Sequence, residues 1–203
     1  AMKTPPKAMP GSAAIMFSGA FTALATPFRN GALDKDALKA FVEKQIEGGI
    51  DGLVPCGTTG ESPTLSHTEH IEVIRIVAET AAGRVPIIAG AGSNNTTEAI
   101  EMASACKDLG VAATLQVMPY YNKPSQQGMH DHIVRVVEAS GVPAVLYNVP
   151  SRTVVDLQAE TVARLAKHEL VVGIKEATGD MARAIEIREQ CGPDFAMLSG
   201  DDF

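Results

Sequence analysis

A regular alternation of short apolar runs and longer segments with helical periodicity constrains the fold most, and it extends from Ala20 to about residue 200. The apolar runs predict strands at 20–27, 52–57, 86–91, 112–119, 144–149, 171–176 and 196–200. The segments between them predict helices at 35–48, 67–82, 96–109, 126–140, 157–167 and 180–190. Repeated βα units of this kind are typical of an α/β fold built on a parallel sheet.

Two architectures use such units, an open doubly wound sheet and a closed (β/α)8 TIM barrel. A doubly wound nucleotide-binding sheet should carry a glycine fingerprint after its first strand, and residues 26–31 do not contain one. The glycine-rich residues 90–94 lack both the fingerprint spacing and the lysine of a P-loop. We therefore predict an α/β TIM barrel. Because eight units take about 250 residues, we expect a barrel truncated after about the seventh strand.

The predicted domain boundaries follow from the same pattern. Residues 1–18 are rich in proline and lack the alternation, which predicts a flexible N-terminal leader or tag. A signal peptide is the alternative, but Pro10 and Gly11 interrupt the apolar stretch that it would need. Residues 19–203 are predicted to form the incomplete barrel domain, without a C-terminal helical region.

Charge and cysteine content narrow the class of partner. The chain has 17 Lys and Arg against 24 Asp and Glu, a formal charge of -7, which argues against nucleic acid and against a polybasic membrane anchor. No apolar run approaches the roughly 20 residues of a membrane-spanning helix. The three widely spaced cysteines favour free thiols and a cytoplasmic location. A small molecule or another protein is the expected partner.

Chemically useful residues collect after the predicted strands, where TIM barrels carry their active sites. Alternation along 171–175 places Lys175 on a face with small and apolar neighbours, and loss of water there favours a neutral, nucleophilic amine. Such an amine suits Schiff-base chemistry on a keto acid. The alternative is that Lys175 pairs with an acid such as Glu176 at the rim of the sheet.

Three further features surround this lysine in the predicted fold. Tyr147 lies on the inner face of its strand and could transfer protons, although an ordinary core aromatic is the alternative. Arg152 lies in a loop and could bind a carboxylate with its planar fork, or it could be a solvated surface arginine. The residues 57–61, Gly-Thr-Thr-Gly-Glu, offer backbone N–H groups and hydroxyls to a carboxylate.

The histidines and cysteines do not predict a metal site. His67 and His70 are three residues apart, His130 and His132 are two apart, and no H-E-x-x-H or cysteine pair is present. Cys56 precedes the glycine loop, but no histidine has a spacing that identifies it as a partner base, so we do not expect a nucleophilic cysteine.

The chain contains five recognisable motifs: GTTGES at 57–62, PYYNKPS at 119–125, YNVPSRT at 147–153, GIKEATG at 173–179 and SGDD at 199–202. In this order and at these separations, they resemble the dihydrodipicolinate synthase family of Schiff-base pyruvate aldolases over residues 18–203.

The resemblance implies roles for individual residues and no cofactor. Lys175 would form an imine with pyruvate. Thr58 and Thr59 would hold the pyruvate carboxylate and begin a proton relay, in which Thr59 is catalytic, and Tyr147 would be the central proton donor and acceptor. The resemblance also implies that Tyr121 completes a proton relay from a neighbouring subunit, that Arg152 receives L-aspartate semialdehyde, and that Gly200 lies in the substrate site. The product would be 4-hydroxy-tetrahydrodipicolinate, on the route to lysine, and the protein would be a homodimer or homotetramer.

The resemblance further implies feedback inhibition by L-lysine. The residues at the matching positions are Ser62, His67, His70, Asn94, Glu98 and Tyr120. Helix capping by Glu98 and by the Ser66–Glu69 pair is the simpler interpretation of part of this set. Two alternatives remain for the whole chain: an N-acetylneuraminate lyase or 2-keto-3-deoxy sugar acid aldolase of the same family, and a non-catalytic truncated fragment.

Overall fold

The computed structural model describes residues 16–201, in which strands and helices alternate closely as the sequence predicts. The strands are β1 Phe21–Ala23, β2 Phe28–Arg29, β3 Ala32–Leu33, β4 Gly52–Val54, β5 Ile88–Gly90, β6 Ala113–Val117, β7 Ala144–Asn148, β8 Val171–Glu176 and β9 Ala196–Ser199. The helices are α1 Lys35–Glu47, α2 His67–Ala81, α3 Thr96–Cys106, α4 Gln126–Ser140, α5 Pro150–Thr153, α6 Ala159–Leu165 and α7 Met181–Cys191, with single 3₁₀ turns at Ser62–Thr64 and Lys107–Leu109.

Seven of the strands run parallel and lie side by side in chain order. β1 pairs with β4, a parallel bridge between Leu53 and Ile87 continues the ladder to β5, and β5, β6, β7, β8 and β9 follow in sequence. A doubly wound sheet would reverse its strand order part-way along. The uninterrupted parallel order within residues 16–201 is that of a TIM barrel, so the predicted fold class is confirmed.

Side chains of the strands form two apolar layers by strict alternation, except in β8, where the register shift beside β7 puts Val171 in the same layer as Ile174. Leu115 and Val145 belong to a cluster on the inner side of the strands, which also contains Ala196. Leu146 and Ile174, one residue out of phase, pack in a second cluster together with residues of the outer helices. The side chains of the inner cluster fill the interior of the barrel. The members nearest the carboxyl ends of the strands form the floor of any site at that end.

The N-terminal boundary of the barrel lies earlier than predicted. Phe17, assigned to the leader by its sequence context, is 3% exposed and packs in the inner cluster, with its ring 6.3 Å from that of Phe21. Met16 packs against the same cluster. Barrel packing therefore begins by Met16, and the rest of the predicted leader, residues 1–15, lies outside the described range, as do residues 202–203.

One supersecondary element was not predicted. β2 and β3 form an antiparallel hairpin in which Arg29 pairs with Ala32 across the two residues Asn30 and Gly31. Both of these residues have positive φ, 53° and 81°. Asn-Gly is a favoured sequence for a two-residue hairpin turn with this backbone conformation. The first predicted strand, at 20–27, is correspondingly shorter in the structure.

The predicted capping box at α2 is confirmed. The Ser66 hydroxyl accepts from the Glu69 N–H at 3.3 Å, and the Glu69 carboxylate accepts from the Ser66 N–H at 2.9 Å. At α3 the similar spacing of Asn95 and Glu98 does not make a box: Asn95 caps the helix by accepting from Thr97, and Glu98 binds other partners. Capping by Glu98 was therefore a wrong expectation.

No helix within residues 16–201 combines the length and the apolar character needed to cross a membrane.

Candidate active site

The two residues expected at the centre of the site lie side by side at the carboxyl ends of neighbouring strands. Tyr147 on β7 and Lys175 on β8 are Cα partners in the parallel ladder, so both side chains point to the inner face. The Lys175 Nζ lies over the Tyr147 ring, 4.7 Å from its centroid. Tyr147 is 7% exposed and belongs to the inner apolar cluster. An amine and a phenol are thus held together where barrel enzymes carry their chemistry.

The acid considered as a partner for Lys175 faces the other way. Glu176 follows Lys175 on the strand, so its side chain points outward to the helices, where Arg183 Nε donates to it at 2.9 Å. Asn148 also donates to the Glu176 carboxylate, at 3.0 Å. The salt bridge at the rim of the sheet therefore joins Glu176 to Arg183 of α7.

Gly200 shapes the surroundings of Lys175 by the absence of a side chain. A Cβ at residue 200 would lie 3.0 Å from Lys175 Cε and 2.7 Å from Ala177 Cβ. Its backbone N–H donates to the Glu176 carbonyl at 2.7 Å, which fixes the chain after β9 against β8. Gly200 was predicted from a motif, and the structure places it in contact range of the lysine stem.

The glycine loop after β4 is tightly folded and anchored from β1. Its own backbone closes two turns, with Gly60 N–H donating to the Gly57 carbonyl and Glu61 N–H donating to the Thr58 carbonyl, both at 3.1 Å. The hydroxyl of the buried Thr26 donates to the Gly60 carbonyl at 2.7 Å. Thr58 and Thr59, predicted to bind a carboxylate, are exposed on this loop.

A cavity of about 430 Å³ joins this loop to the strand ends. Its walls include three of the predicted active-site residues, Thr58, Tyr147 and Arg152. Arg152 comes from α5, the short helix that directly follows β7, so the guanidinium and the phenol are positioned by the same chain segment. A hydroxyl, a phenol and a cation around one enclosed space suit a small carboxylate-bearing substrate.

The other end of the same cavity carries the predicted inhibitor residues. Ser62, His67, His70, Glu98 and Tyr120 line it, and Asn94 donates to the Tyr120 carbonyl at 3.2 Å. The Glu98 carboxylate accepts a hydrogen bond from the Ser93 hydroxyl at 2.6 Å, and it lies 2.6 Å from His67 Nε2. These two hydrogen bonds lower the pKa of Glu98, Ser93 contributing most, which keeps the carboxylate ionised.

His70, Gly90 and Cys56 line the same cavity. The Nε2 of His70 lies 2.6 Å from the Gly90 carbonyl, an acceptor, so this nitrogen carries the ring proton. Burial lowers the pKa of His70, which favours the neutral ring. Gly90 packs directly on the backbone of Cys56, and any side chain at residue 90 would overlap the Cys56 carbonyl. Cys56 itself has a left-handed φ of 54° and begins the glycine loop.

Tyr121 is not among the residues that line the cavity containing Tyr147. It is 88% exposed, with a left-handed φ of 71°, in the loop between β6 and α4. Its neighbour Asn122 fixes that loop by donating to the Asn94 carbonyl at 3.2 Å. The exposed ring stands at the edge of the molecule.

The three cysteines are free thiols, and Cys56 lines the cavity. Cys56 and Cys106 are free and buried, and burial raises the pKa of each thiol, so both stay protonated. Cys191 is also a free thiol. Among residues 16–201 no group of three or more His, Cys, Asp and Glu side chains is arranged to hold a metal ion.

Two residues of the site were not predicted. Thr26 follows β1. The other candidates were selected because they follow strands, so the same criterion could have identified Thr26. Ser93 lies among the glycine-rich residues after β5, and its contact with Glu98 depends on the turn into α3, which spacing does not reveal.

Comparison with known proteins identifies relatives over nearly the whole described range. The sequence profile of the Dihydrodipicolinate synthetase family matches residues 16–203. A protein of Pelobacter propionicus named 4-hydroxy-tetrahydrodipicolinate synthase is 54% identical over 188 residues, which are 93% of this chain and 65% of the relative. The chain thus spans about two thirds of the length of such relatives.

Solved structures superpose closely on the same range. A dihydrodipicolinate synthase from Cyanidioschyzon merolae with lysine bound matches with a TM-score of 0.89 at 42% identity, over 92% of this chain and 64% of the other. A chloride-inhibited dihydrodipicolinate synthase from Acinetobacter baumannii complexed with pyruvate matches with a TM-score of 0.88 at 47% identity, over 91% of this chain and 64% of the other.

Proposed function

Because the chain belongs to the dihydrodipicolinate synthetase family, we propose that it condenses pyruvate with L-aspartate 4-semialdehyde through a lysine imine and releases 4-hydroxy-tetrahydrodipicolinate. One observation carries the proposal: the Lys175 amine lies 4.7 Å from the ring centroid of Tyr147 at the carboxyl ends of adjacent barrel strands. The protein would then be a lyase of the diaminopimelate route to lysine.

The reaction begins with the Lys175 amine. It adds to the ketone carbon of pyruvate and water leaves, so that a protonated imine forms. This iminium draws electrons from the neighbouring methyl group, which loses a proton and becomes the end of an enamine. The enamine carbon bonds to the aldehyde carbon of the second substrate, whose oxygen takes up a proton. The amino group of that substrate then displaces Lys175 from the imine carbon, which closes the ring and restores the free amine.

The neighbouring residues supply proton transfer and carboxylate binding. The Tyr147 hydroxyl is the central proton donor and acceptor, and Thr59 and Tyr121 complete its relay. Thr58 and Thr59 bind the pyruvate carboxylate, with Gly200 leaving room beside it, and Arg152 binds the carboxylate of the second substrate. The common cavity wall of Thr58, Tyr147 and Arg152 supports these assignments.

A second copy of the chain completes the site. Tyr121 is 88% exposed, and an aromatic ring presented at the edge of a molecule suits contact with a partner. The functional protein is accordingly a homodimer or a homotetramer, in which Tyr121 of one subunit reaches the Tyr147 of another.

L-lysine binds the far end of the cavity as a feedback inhibitor. The ionised Glu98 faces that space beside His67, and a carboxylate is a suitable partner for an ammonium group. Four further residues surround the same ligand: Ser62, His70, Asn94 and Tyr120. Their positions in the cavity wall or next to it support this assignment. The related structure with lysine bound is consistent with this assignment.

The synthase name of relatives at about 54% identity favours this reaction over an N-acetylneuraminate lyase or a sugar acid aldolase. The three free cysteines agree with action in the cytoplasm.

Borohydride trapping tests the proposal directly. Reduction in the presence of pyruvate should add one pyruvate-derived group to Lys175, located by peptide mass spectrometry, and Lys175→Ala should abolish it. Lys123→Ala, which removes a different lysine, should leave trapping unchanged. Failure of the wild-type chain to form an adduct would support the non-catalytic alternative. Condensation assays with aspartate semialdehyde and with N-acetylmannosamine then separate the synthase from the lyase.

A further inference from the structure

A hydrogen-bonded pair lies directly behind the lysine and the tyrosine of the proposed site. Asn148 and Glu176 are the residues that follow Tyr147 and Lys175, and they too are Cα partners in the β7–β8 ladder. Alternation turns their side chains to the outer face of the barrel, where Asn148 is 0% and Glu176 9% exposed. At the end of each strand, one residue therefore faces the proposed site and the next residue belongs to the outer pair.

The outer pair is held from several directions. Asn148 Nδ2 donates to Glu176 Oε1 at 3.0 Å and to Asp156 Oδ1 at 2.8 Å. Asn148 Oδ1 accepts from the Leu157 N–H at 3.0 Å, so the amide of Asn148 uses both its donor and its acceptor side. The segment that follows α5 is thereby tied to the end of β7.

Helix α7 holds the other half of the pair. Arg183 Nε donates to Glu176 Oε2 at 2.9 Å, and Nη2 of the same guanidinium lies 3.5 Å from Asp156. The Arg183 side chain is 12% exposed, so this ion pair is largely desolvated. The Ala177 N–H also donates to Glu176, at 3.1 Å. We call Asn148, Glu176 and Arg183 the outer clamp.

The stability of the fold does not by itself explain such a clamp. A buried ion pair repays its desolvation poorly, and well-packed apolar residues of similar size often serve stability as well or better. Directional hydrogen bonds, by contrast, select one geometry among several, as buried polar residues that fix register do. Geometry is therefore the property to which the outer clamp contributes.

The β7–β8 ladder needs such a device because its register changes along the strands. Ala144 pairs with Val171, whereas Val145 pairs with Gly173, so one residue of β8 is left over between them. The pairing at the start of the ladder does not determine the pairing at its end. A slip of one residue would move a strand by about 3.3 Å and turn its side chains to the opposite face. Lys175 would then leave the Tyr147 ring.

We infer that Asn148, Glu176 and Arg183 are positioning residues, which fix the register of the strand ends and so hold the Lys175 amine against Tyr147. The inference rests on the proposed function for its meaning in catalysis, but the geometry that it concerns can be measured separately. None of the three side chains needs to touch a substrate.

The test uses the full chain and two variants of the clamp. Glu176→Gln keeps the size of the side chain and removes its charge. The double variant Glu176→Met with Arg183→Met replaces the ion pair by apolar groups, which should leave folding stability within a small margin. Glu43→Gln is the matched control, because the Glu43–Arg84 pair is also a carboxylate with a guanidinium but is exposed and distant from the site.

Two readouts are compared at a temperature where every variant is folded. The first is the rate of borohydride trapping with pyruvate as a function of pH, expected to fall about tenfold or more in both clamp variants, since small misplacements of reacting groups have large effects. The second is the rate at which acetic anhydride modifies Lys175, measured by peptide mass spectrometry, and expected to rise several-fold because the amine is less enclosed. Glu43→Gln should change neither.

The outcomes separate the two proposals. If the clamp variants trap pyruvate and react with acetic anhydride at the wild-type rates and with the same pH profiles, the positioning role is refuted, even where their thermal stability is lower. If the wild-type chain fails to trap pyruvate, the proposed function fails, and the modification rate of Lys175 still decides the positioning role. Should Glu176→Gln not fold, the double methionine variant and Asn148→Asp provide the same comparison.

Discussion

Gly200→Ala is expected to disturb the proposed active site through a single added methyl group. The new Cβ would lie 2.7 Å from Ala177 Cβ and 3.0 Å from Lys175 Cε. Carbon atoms in good contact lie about 3.5–4.0 Å apart. The overlaps are therefore roughly 0.5–1.3 Å, and the lysine stem or the chain after β9 must move by a comparable distance.

The size of the effect follows from this displacement. Overpacking of a filled site typically costs about 1–3 kcal/mol, which in a domain of this size corresponds to about 2–4 °C in Tm for each kcal/mol. The rate of imine formation should fall by about tenfold to a hundredfold, because a displacement near 1 Å has effects of that order.

Borohydride trapping with pyruvate and thermal unfolding are measured on the same preparations. Gly128→Ala is the control, since its Cβ would meet only Pro124 and Ser125, at 3.2 and 3.5 Å, at the exposed start of α4. A Gly200→Ala variant that traps pyruvate at the wild-type rate would refute the reasoning, because the lysine stem would then have room that the geometry denies it.

Two further perturbations concern buried polar groups. Thr26→Val removes the 2.7 Å hydrogen bond to the Gly60 carbonyl, which should lower the free energy of unfolding by about 1–3 kcal/mol and slow pyruvate trapping; an unchanged urea midpoint would contradict this. Burial lowers the pKa of His132 from 6.5 to about 4. As pH falls, this histidine therefore binds a proton in the unfolded chain before it does so in the folded chain. The folded state loses about 3 kcal/mol of stability, which is fully present above pH 6.5, as pH falls toward 4. His132→Gln should remove that part of the pH dependence in urea titrations, and a variant with the wild-type pH dependence would argue against it.

The positions of Lys175 and Tyr147 could be predicted because they depend on a local rule. Alternation along a strand places every second residue on one face, and parallel strands bring their carboxyl ends to one edge. The βα rhythm determined the barrel class in the same way. These inferences need only residue order and spacing, which the sequence supplies directly.

Residue spacing alone could not predict which side chains of distant segments form hydrogen bonds or pack together. Glu98 has the spacing of a capping residue but binds His67, 31 residues away, because the turn after β5 brings α3 to the start of α2. Phe17 looked like part of a leader, yet it fills the barrel interior. Such pairings depend on how the elements pack, and many partners are compatible with one pattern. The Asn30-Gly31 turn, by contrast, carried a readable local signal for the hairpin that was missed.

The single cavity that extends from Thr58 to Glu98 has a thermodynamic consequence. Two ligands that bind different parts of this cavity, which Cys56 and Gly90 help to line, must influence each other reciprocally. If L-lysine at the Glu98 end weakens pyruvate binding by some factor, pyruvate at the Thr58 end must weaken lysine binding by the same factor. The effective strength of the proposed inhibitor would then depend in part on the concentration of the proposed substrate.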